Sequence, residues 1–178
     1  MNIEQLRNSL PGYAKDIRLN LSAILTQAGA PDISDSQRQS IALSCAYATR
    51  NKILITVLLN TFMNTLSDKE IEAAQSAATI MSMNNMYYRF THLMSDKSYS
   101  DMPAKLRMSV IGNPGVSKID FELNCLAVSV LNGCGMCMES HVHELIESGV
   151  TKIGVQSAVR IAAVINAVAL NTEFLINH

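Results

Sequence analysis

Apolar residues recur at three- and four-residue spacing through most of the chain, with polar capping residues at the head of several runs. Ile3 to Leu10 reads as a short helix, and Pro11 suits the first turn of a second one running to about Gln27. Gly29-Ala30-Pro31-Asp32 breaks the pattern. Ser34 or Asp35 then caps a helix that continues to Thr49. Asn51-Lys52 interrupts before the run Ile53 to Leu59. This run is β-branched, yet Phe62 and Met63 extend its apolar face and no partner strand is in sight, so it is assigned as helix. Ser67-Asp68-Lys69-Glu70 has the form of a capping box and opens a helix to about Met94. Ser95 to Asp101 reads as a polar loop, and Pro103 as the start of a short helix ending near Ile111. Gly112-Asn113-Pro114-Gly115 is a strong stop. Ser117 caps the next helix, Gly133 ends it, another runs from Cys134 to Ser148, and Thr151 caps a last one to about Ile176. The fold class expected is all-α.

The second half of this pattern resembles the first. Placing Ser44 on Ser129, an offset of 85, lays the helix before Arg50 over the helix before Gly133. After one residue of slippage Ser67 falls on Thr151. Gln37, Thr49, Lys52 and Thr56 then occupy the places of Glu122, Cys134, Cys137 and His141. The expectation is one domain over residues 1–178, built from two related helical halves, 1–112 and 113–178, with chemistry kept only in the second.

Composition narrows the function. Hydrophobic residues make up 48% of the chain and charged residues 16%, enough to fill a core and leave apolar surface for an oligomer interface. The net charge is −1 and there is no basic block, which argues against nucleic acid as a partner. The N-terminus lacks the basic and then apolar order of a signal peptide. No segment is expected to reach the ~20 apolar residues of a membrane span, because Arg160, Asn166 and Asn171 interrupt the most apolar helix. A cytoplasmic location follows as the expectation. Thiols are kept reduced there, and a CxxC pair is more often catalytic or metal-binding than a structural staple.

The candidate chemistry is concentrated in Cys134-Gly135-Met136-Cys137 and His141, with Glu122 on the preceding helix. Gly133 leaves Cys134 at a helix start, where unpaired N–H groups favour a thiolate. Cys137 lies one turn on, and His141 shares its face. His141 can take a thiol proton or, charged, stabilise a thiolate, and Glu122 can orient the ring or accept the proton through a water. A free thiol with pKa ~8.5 is only about 3% ionised at pH 7. Lowering it to ~6.5 makes about three quarters reactive, partly offset by weaker nucleophilicity. Zinc is the alternative, with Cys134, Cys137, His141 and either His143 or Glu122 as ligands. Against it, all these residues except Glu122 sit on one helix. Cys45 and Cys125 fall in apolar stripes and read as core residues. His92, His143 and His178 read as surface, and Met81, Met83, Met86 and Met94 as core filler.

Glu122, eleven residues, Cys134, two residues, Cys137, three residues, His141 resembles the signature of the alkyl hydroperoxide reductase AhpD family, within the carboxymuconolactone decarboxylase-like superfamily. The resemblance implies an AhpD-like all-α bundle that is oligomeric, often trimeric. It implies Cys134 and Cys137 as the redox disulfide pair and Glu122 and His141 as proton relay. It further implies a peroxidase acting on organic hydroperoxides with no tightly bound cofactor. Electrons would come from dihydrolipoyl groups of a dihydrolipoamide acyltransferase, kept reduced by lipoamide dehydrogenase, and pass to the peroxiredoxin AhpC. Cys137 would attack the peroxide, and a more exposed Cys134 would engage AhpC. The decarboxylase branch lacks the dithiol, so that name implies no activity here. The family often carries a histidine just before the second cysteine, where this chain has Met136. A zinc-stabilised or redox-sensing helical module without turnover is the alternative function.

Overall fold

The computed structural model describes residues 1–175, and every regular element among them is helical. Helix α1 spans Ile3–Ser9, and Asn2 caps it through a reciprocal box with Gln5. Pro11 heads only a single 3₁₀ turn, Gly12–Ala14, and α2 follows as Lys15–Ile24. The second helix therefore starts later and ends earlier than its apolar pattern suggested. Thr26 turns back onto the carbonyl of Ala23 through both its N–H and its hydroxyl, which stops the helix short of Gln27.

Three further helices open on the caps expected of them. Ser34 and Gln37 form a capping box at α3, Asp35–Thr49, and Ser67 and Glu70 form another at α5, Asp68–Leu93. Between them Asn51 caps α4, Lys52–Phe62, so the β-branched run is indeed helical. The segment 94–117 departs from expectation twice. Its first part holds a short helix α6, Ser98–Asp101, in place of a loop, while residues 103–108 are not helical and α7 is confined to Ser109–Gly112. Ser117 caps α8, Lys118–Leu131, which leads to α9, Gly135–Glu147, and α10, Lys152–Leu175. The expected end of the last helix near Ile176, and His178, lie outside the described residues.

Helices α3 and α8 form the centre, each packed on the other and on both α5 and α10. The main core joins Ile41, Leu43 and Cys45 of α3 to Leu123, Leu126 and Ala127 of α8 and to Ile161, Ile165 and Val168 of α10. A second cluster, Ala77, Met81, Phe121, Cys125 and Val128, fills the α5–α8 seam. Arg38 is buried and ties down the loop before its own helix by donating to the carbonyls of Ala30 and Ile33. That loop in turn anchors α10, because the Thr151 hydroxyl reaches Asp32 and the Ser157 hydroxyl the carbonyl of Pro31, both at 2.8 Å.

Lys152–Phe174 is long and apolar enough by length and composition to cross a membrane, its most apolar 18 residues having a mean hydropathy of 1.7, contrary to the expectation that no segment comes near. One side of the helix packs into the core, with Ala158, Ile161, Ala162 and Ile165 all fully buried.

The helix starts at Asp35, Lys52 and Asp68 recur at Lys118, Gly135 and Lys152, which stand 83, 83 and 84 positions further on. That register is two residues shorter than the offset of 85 read from Ser44 and Ser129. It puts Gln39, Asn51, Leu54 and Leu58 at the helical positions of Glu122, Cys134, Cys137 and His141.

Candidate active site

The turn between α8 and α9 follows from Asn132-Gly133-Cys134. Gly133 takes φ +66°, the left-handed conformation that glycine enters without strain. Its N–H then bonds to the carbonyl of Val130, and the N–H of Cys134 reaches back to Ser129, each at 3.1 Å. This pair of bonds is a Schellman closure. Cys134 thereby ends one helix and caps the next, its Sγ accepting the N–H of Cys137 at 3.3 Å. The two sulfurs are joined in a disulfide with their Cα atoms 5.3 Å apart.

One turn later along α9 stands His141. Its Nδ1 lies 2.6 Å from Oε2 of Glu122, which α8 delivers from the opposite side, and both side chains are buried. All four residues singled out in the sequence are thus gathered where α8 and α9 meet. Cys137, His141 and Glu122 open onto a cavity of about 400 Å³. Met81, Asn84 and Tyr88 of α5 and Met108 and Ile111 of the 94–117 segment form its far wall. Lys118 and Glu144 face each other at its rim in an ion pair. The Lys118 ammonium bonded to Glu144 holds that carboxyl below its usual value, and the same contact pushes the lysine up. Met136 is 42% exposed at the cavity edge, in the position where a histidine was noted as common.

Cys134 does not match the expectation that it is the more exposed thiol. It is 0% exposed against 7% for Cys137, and it does not line the cavity. The reason is its double duty as helix end and helix cap, which tucks its side chain under the first turn of α9.

Cys45, Cys125, His92 and His143 lie where their patterns suggest. Cys45 and Cys125 are free and buried. Burial pushes both thiols up; the neighbouring charge of Glu122 adds to this at Cys125, and a hydrogen bond with Ser44 opposes it at Cys45. His92 and His143 are exposed. Among the described residues no three His, Cys, Asp or Glu side chains are grouped so as to hold a metal ion. The methionines divide: Met81 is core, Met83 and Met94 are half-buried, and Met86 is 64% exposed, so it is not core filler. Met81 was missed as a site residue. Its Sδ lies 3.3 Å from Nε2 of His141, a contact across 60 positions with no local signal in the sequence. A second cavity of about 500 Å³, between Tyr47, Arg50, Gln75 and Asn132, contains none of the candidate residues.

Residues 98–174 match the carboxymuconolactone decarboxylase family. Over nearly its whole length the chain is similar to proteins that carry the name alkyl hydroperoxide reductase AhpD. One from Coxiella burnetii is 45% identical over 167 residues, covering 94% of each chain. One from Azorhizobium caulinodans is 47% identical over 173 residues, and one from a Bradyrhizobium species is 48% identical over 173; each alignment covers 97% of this chain and 94% of the relative.

Proposed function

Because this chain belongs to the alkyl hydroperoxide reductase AhpD family, we propose that it reduces organic hydroperoxides through the Cys134–Cys137 dithiol, drawing electrons from dihydrolipoyl groups. The observation that carries the proposal is the placement of Cys137 on the 400 Å³ cavity, beside a carboxylate and an imidazole in direct hydrogen bond.

The chemistry then runs in three steps. The Cys137 thiolate attacks the outer peroxide oxygen, the O–O bond breaks, and the alcohol leaves with a proton supplied by the Glu122–His141 pair. Cys134 displaces hydroxide from the resulting sulfenic acid, forming the disulfide and one water. A dihydrolipoyl thiolate attacks Cys137, the sulfur that the cavity admits, and expels Cys134. Closure of the lipoyl ring restores both thiols. Cys134 is a good leaving group because the N–H of Cys137 and the positive end of α9 stabilise its thiolate. The peroxiredoxin AhpC, in this proposal, also meets Cys137 first.

Met136 supplies no proton at the cavity edge, so Glu122 and His141 carry that work by themselves. Met81, Tyr88, Met108 and Ile111 give a largely apolar wall suited to an alkyl chain. The two helical halves are proposed to descend from one duplicated unit, on the strength of the repeated helix starts. A homo-oligomer, with a trimer favoured, is supported by Met86, Phe90 and Leu93. They are exposed at four- and three-residue spacing on α5, with Tyr99 stacked edge-on against Phe90. A cytoplasmic location, where the thiols are recycled, completes the reading.

The test is peroxide consumption by the purified protein with dihydrolipoamide, alone and with the peroxiredoxin. Consumption in either arm that is lost in Cys137→Ser supports the proposal. Its absence in both arms would leave a redox-sensing module instead.

A further inference from the structure

Neither ring nitrogen of His141 is free. While Nδ1 faces Glu122 at 2.6 Å, Nε2 faces the thioether of Met81 at 3.3 Å, in the buried α5–α8 seam. A thioether sulfur carries no proton and can only accept, so a hydrogen bond on this line requires the proton to be on Nε2. The sulfur is itself held in place. The Ser129 hydroxyl points at it from 3.6 Å and the Asn85 amide from 3.8 Å, and Asn85 donates in turn to Ser129 at 2.9 Å. The chain of contacts continues from the Asn85 carbonyl oxygen to the amide of Asn132, at 2.9 Å, and from the Asn132 carbonyl to Arg89, at 2.7 Å. One end of this network thus grips the turn before Cys134, and the other end sets the ring of His141.

We infer that Met81 is a positioning residue for the proton relay: its sulfur accepts Nε2–H of His141, so that Nδ1 is the nitrogen that trades a proton with Glu122. With Nε2–H committed, the line between Nδ1 and Glu122 holds one exchangeable proton, and Glu122, which also lines the cavity, passes it to and from the thiol. Were the sulfur absent, the neutral ring could place its only proton on Nδ1 and leave Nε2 bare, and the pair would hold one proton fewer. The other ionisable groups around the pair are Lys118 on α8, Glu144 on the ring's own helix and Tyr88 on α5, all on the same cavity, and the buried Cys125 of α8 beside Glu122. Met81→Leu leaves them in place. The inference rests on the proposed relay for its catalytic meaning, and on the two contacts alone for its geometry.

Histidine ¹⁵N NMR of the disulfide form decides it, with the His141 signals assigned by their loss in His141→Gln. Wild type should show a protonated Nε2 at neutral pH. Met81→Leu, close in volume, should show Nε2 losing its proton, and the acidic limb of its pH–rate profile should move down by roughly half a pH unit. A bare Nε2 in the wild-type protein would overturn the inference even if the variant failed to fold. Identical tautomers and pH profiles in the two proteins would overturn it as well. Nε2 protonated in wild type and bare in the variant, with no peroxide turnover by either, would uphold the positioning role and sink the peroxidase reading.

Discussion

The two cysteines differ more at the level of single residues than their spacing suggests. Cys137 faces the cavity, whereas Cys134 is fully enclosed and its sulfur accepts the N–H of Cys137 at the start of α9. Their roles should separate on substitution. Cys134→Ser should still form a sulfenic acid at Cys137, trapped by dimedone as about one adduct per chain but not turned over, since nothing resolves it. Cys137→Ser should form no adduct. Equal trapping in both variants would mean that Cys134 reaches the peroxide too. Glu122→Gln keeps shape and loses the charge, and should slow peroxide turnover by about 10²-fold at pH 7. The deficit should shrink toward pH 9, where thiols ionise unaided. An equal loss at both pH values would show that Glu122 does not act through thiol ionisation. The four residues of this site were legible because three share a helix and the fourth lies on the helix before it. Met81 was not, because its partner is 60 positions away and any buried methionine looks the same in sequence.

At the scale of elements, the caps carried the information. Ser34, Ser67 and Ser117 announce α3, α5 and α8 by side chains that lie within three residues of the N–H groups they serve. Segments 10–27 and 94–117 depart from their apolar pattern for the converse reason. The end of α2 is set by the bonds of Thr26 to the Ala23 carbonyl, which the apolar pattern overruns, and Met108 and Ile111 of the second segment are placed by packing over the cavity, which leaves no local residue pattern. The helix starts recur at 83 and 84 positions where residue matching gives 85, because alanine-rich helices slide on one another at little cost in similarity, while caps do not. The α8–α9 turn permits a direct check of this view. A Cβ at Gly133 would meet only Nη1 of Arg89, at 3.9 Å, so Gly133→Ala is opposed by its φ of +66° and not by crowding. Urea unfolding should find it about 1 kcal/mol less stable than wild type, with unchanged m-value. A neutral substitution would mean that the turn relaxes without strain, and that Cys134 is not held by it.

The molecule as a whole stores two free thiols in its centre. Cys45 of α3 and Cys125 of α8 lie on the two central helices, which pack on each other and on both α5 and α10. Burial pushes both above the ordinary thiol value, with the Glu122 carboxylate adding to it at Cys125. In the unfolded chain the same thiols titrate normally, near pH 8.5. Below that pH both states hold the proton and the thiols contribute their full share to stability. Above it the unfolded state sheds protons that the folded state keeps, so stability falls as pH rises, by about 1.4 kcal/mol per pH unit for each thiol. Two such groups should make denaturant midpoints drop steeply between pH 8.5 and 10. The slope should be shallower in a Cys45→Ala/Cys125→Ala double variant, which is expected to start less stable at pH 7 because it leaves two small cavities. Parallel slopes would show that the alkaline loss comes from other groups, the Lys118–Glu144 pair at the cavity rim among them. The site itself gains from this arrangement. Native alkylation of the reduced protein at pH 8 should spare Cys45 and Cys125 and reach Cys137, so that of four thiols only the one facing the cavity is open to electrophiles.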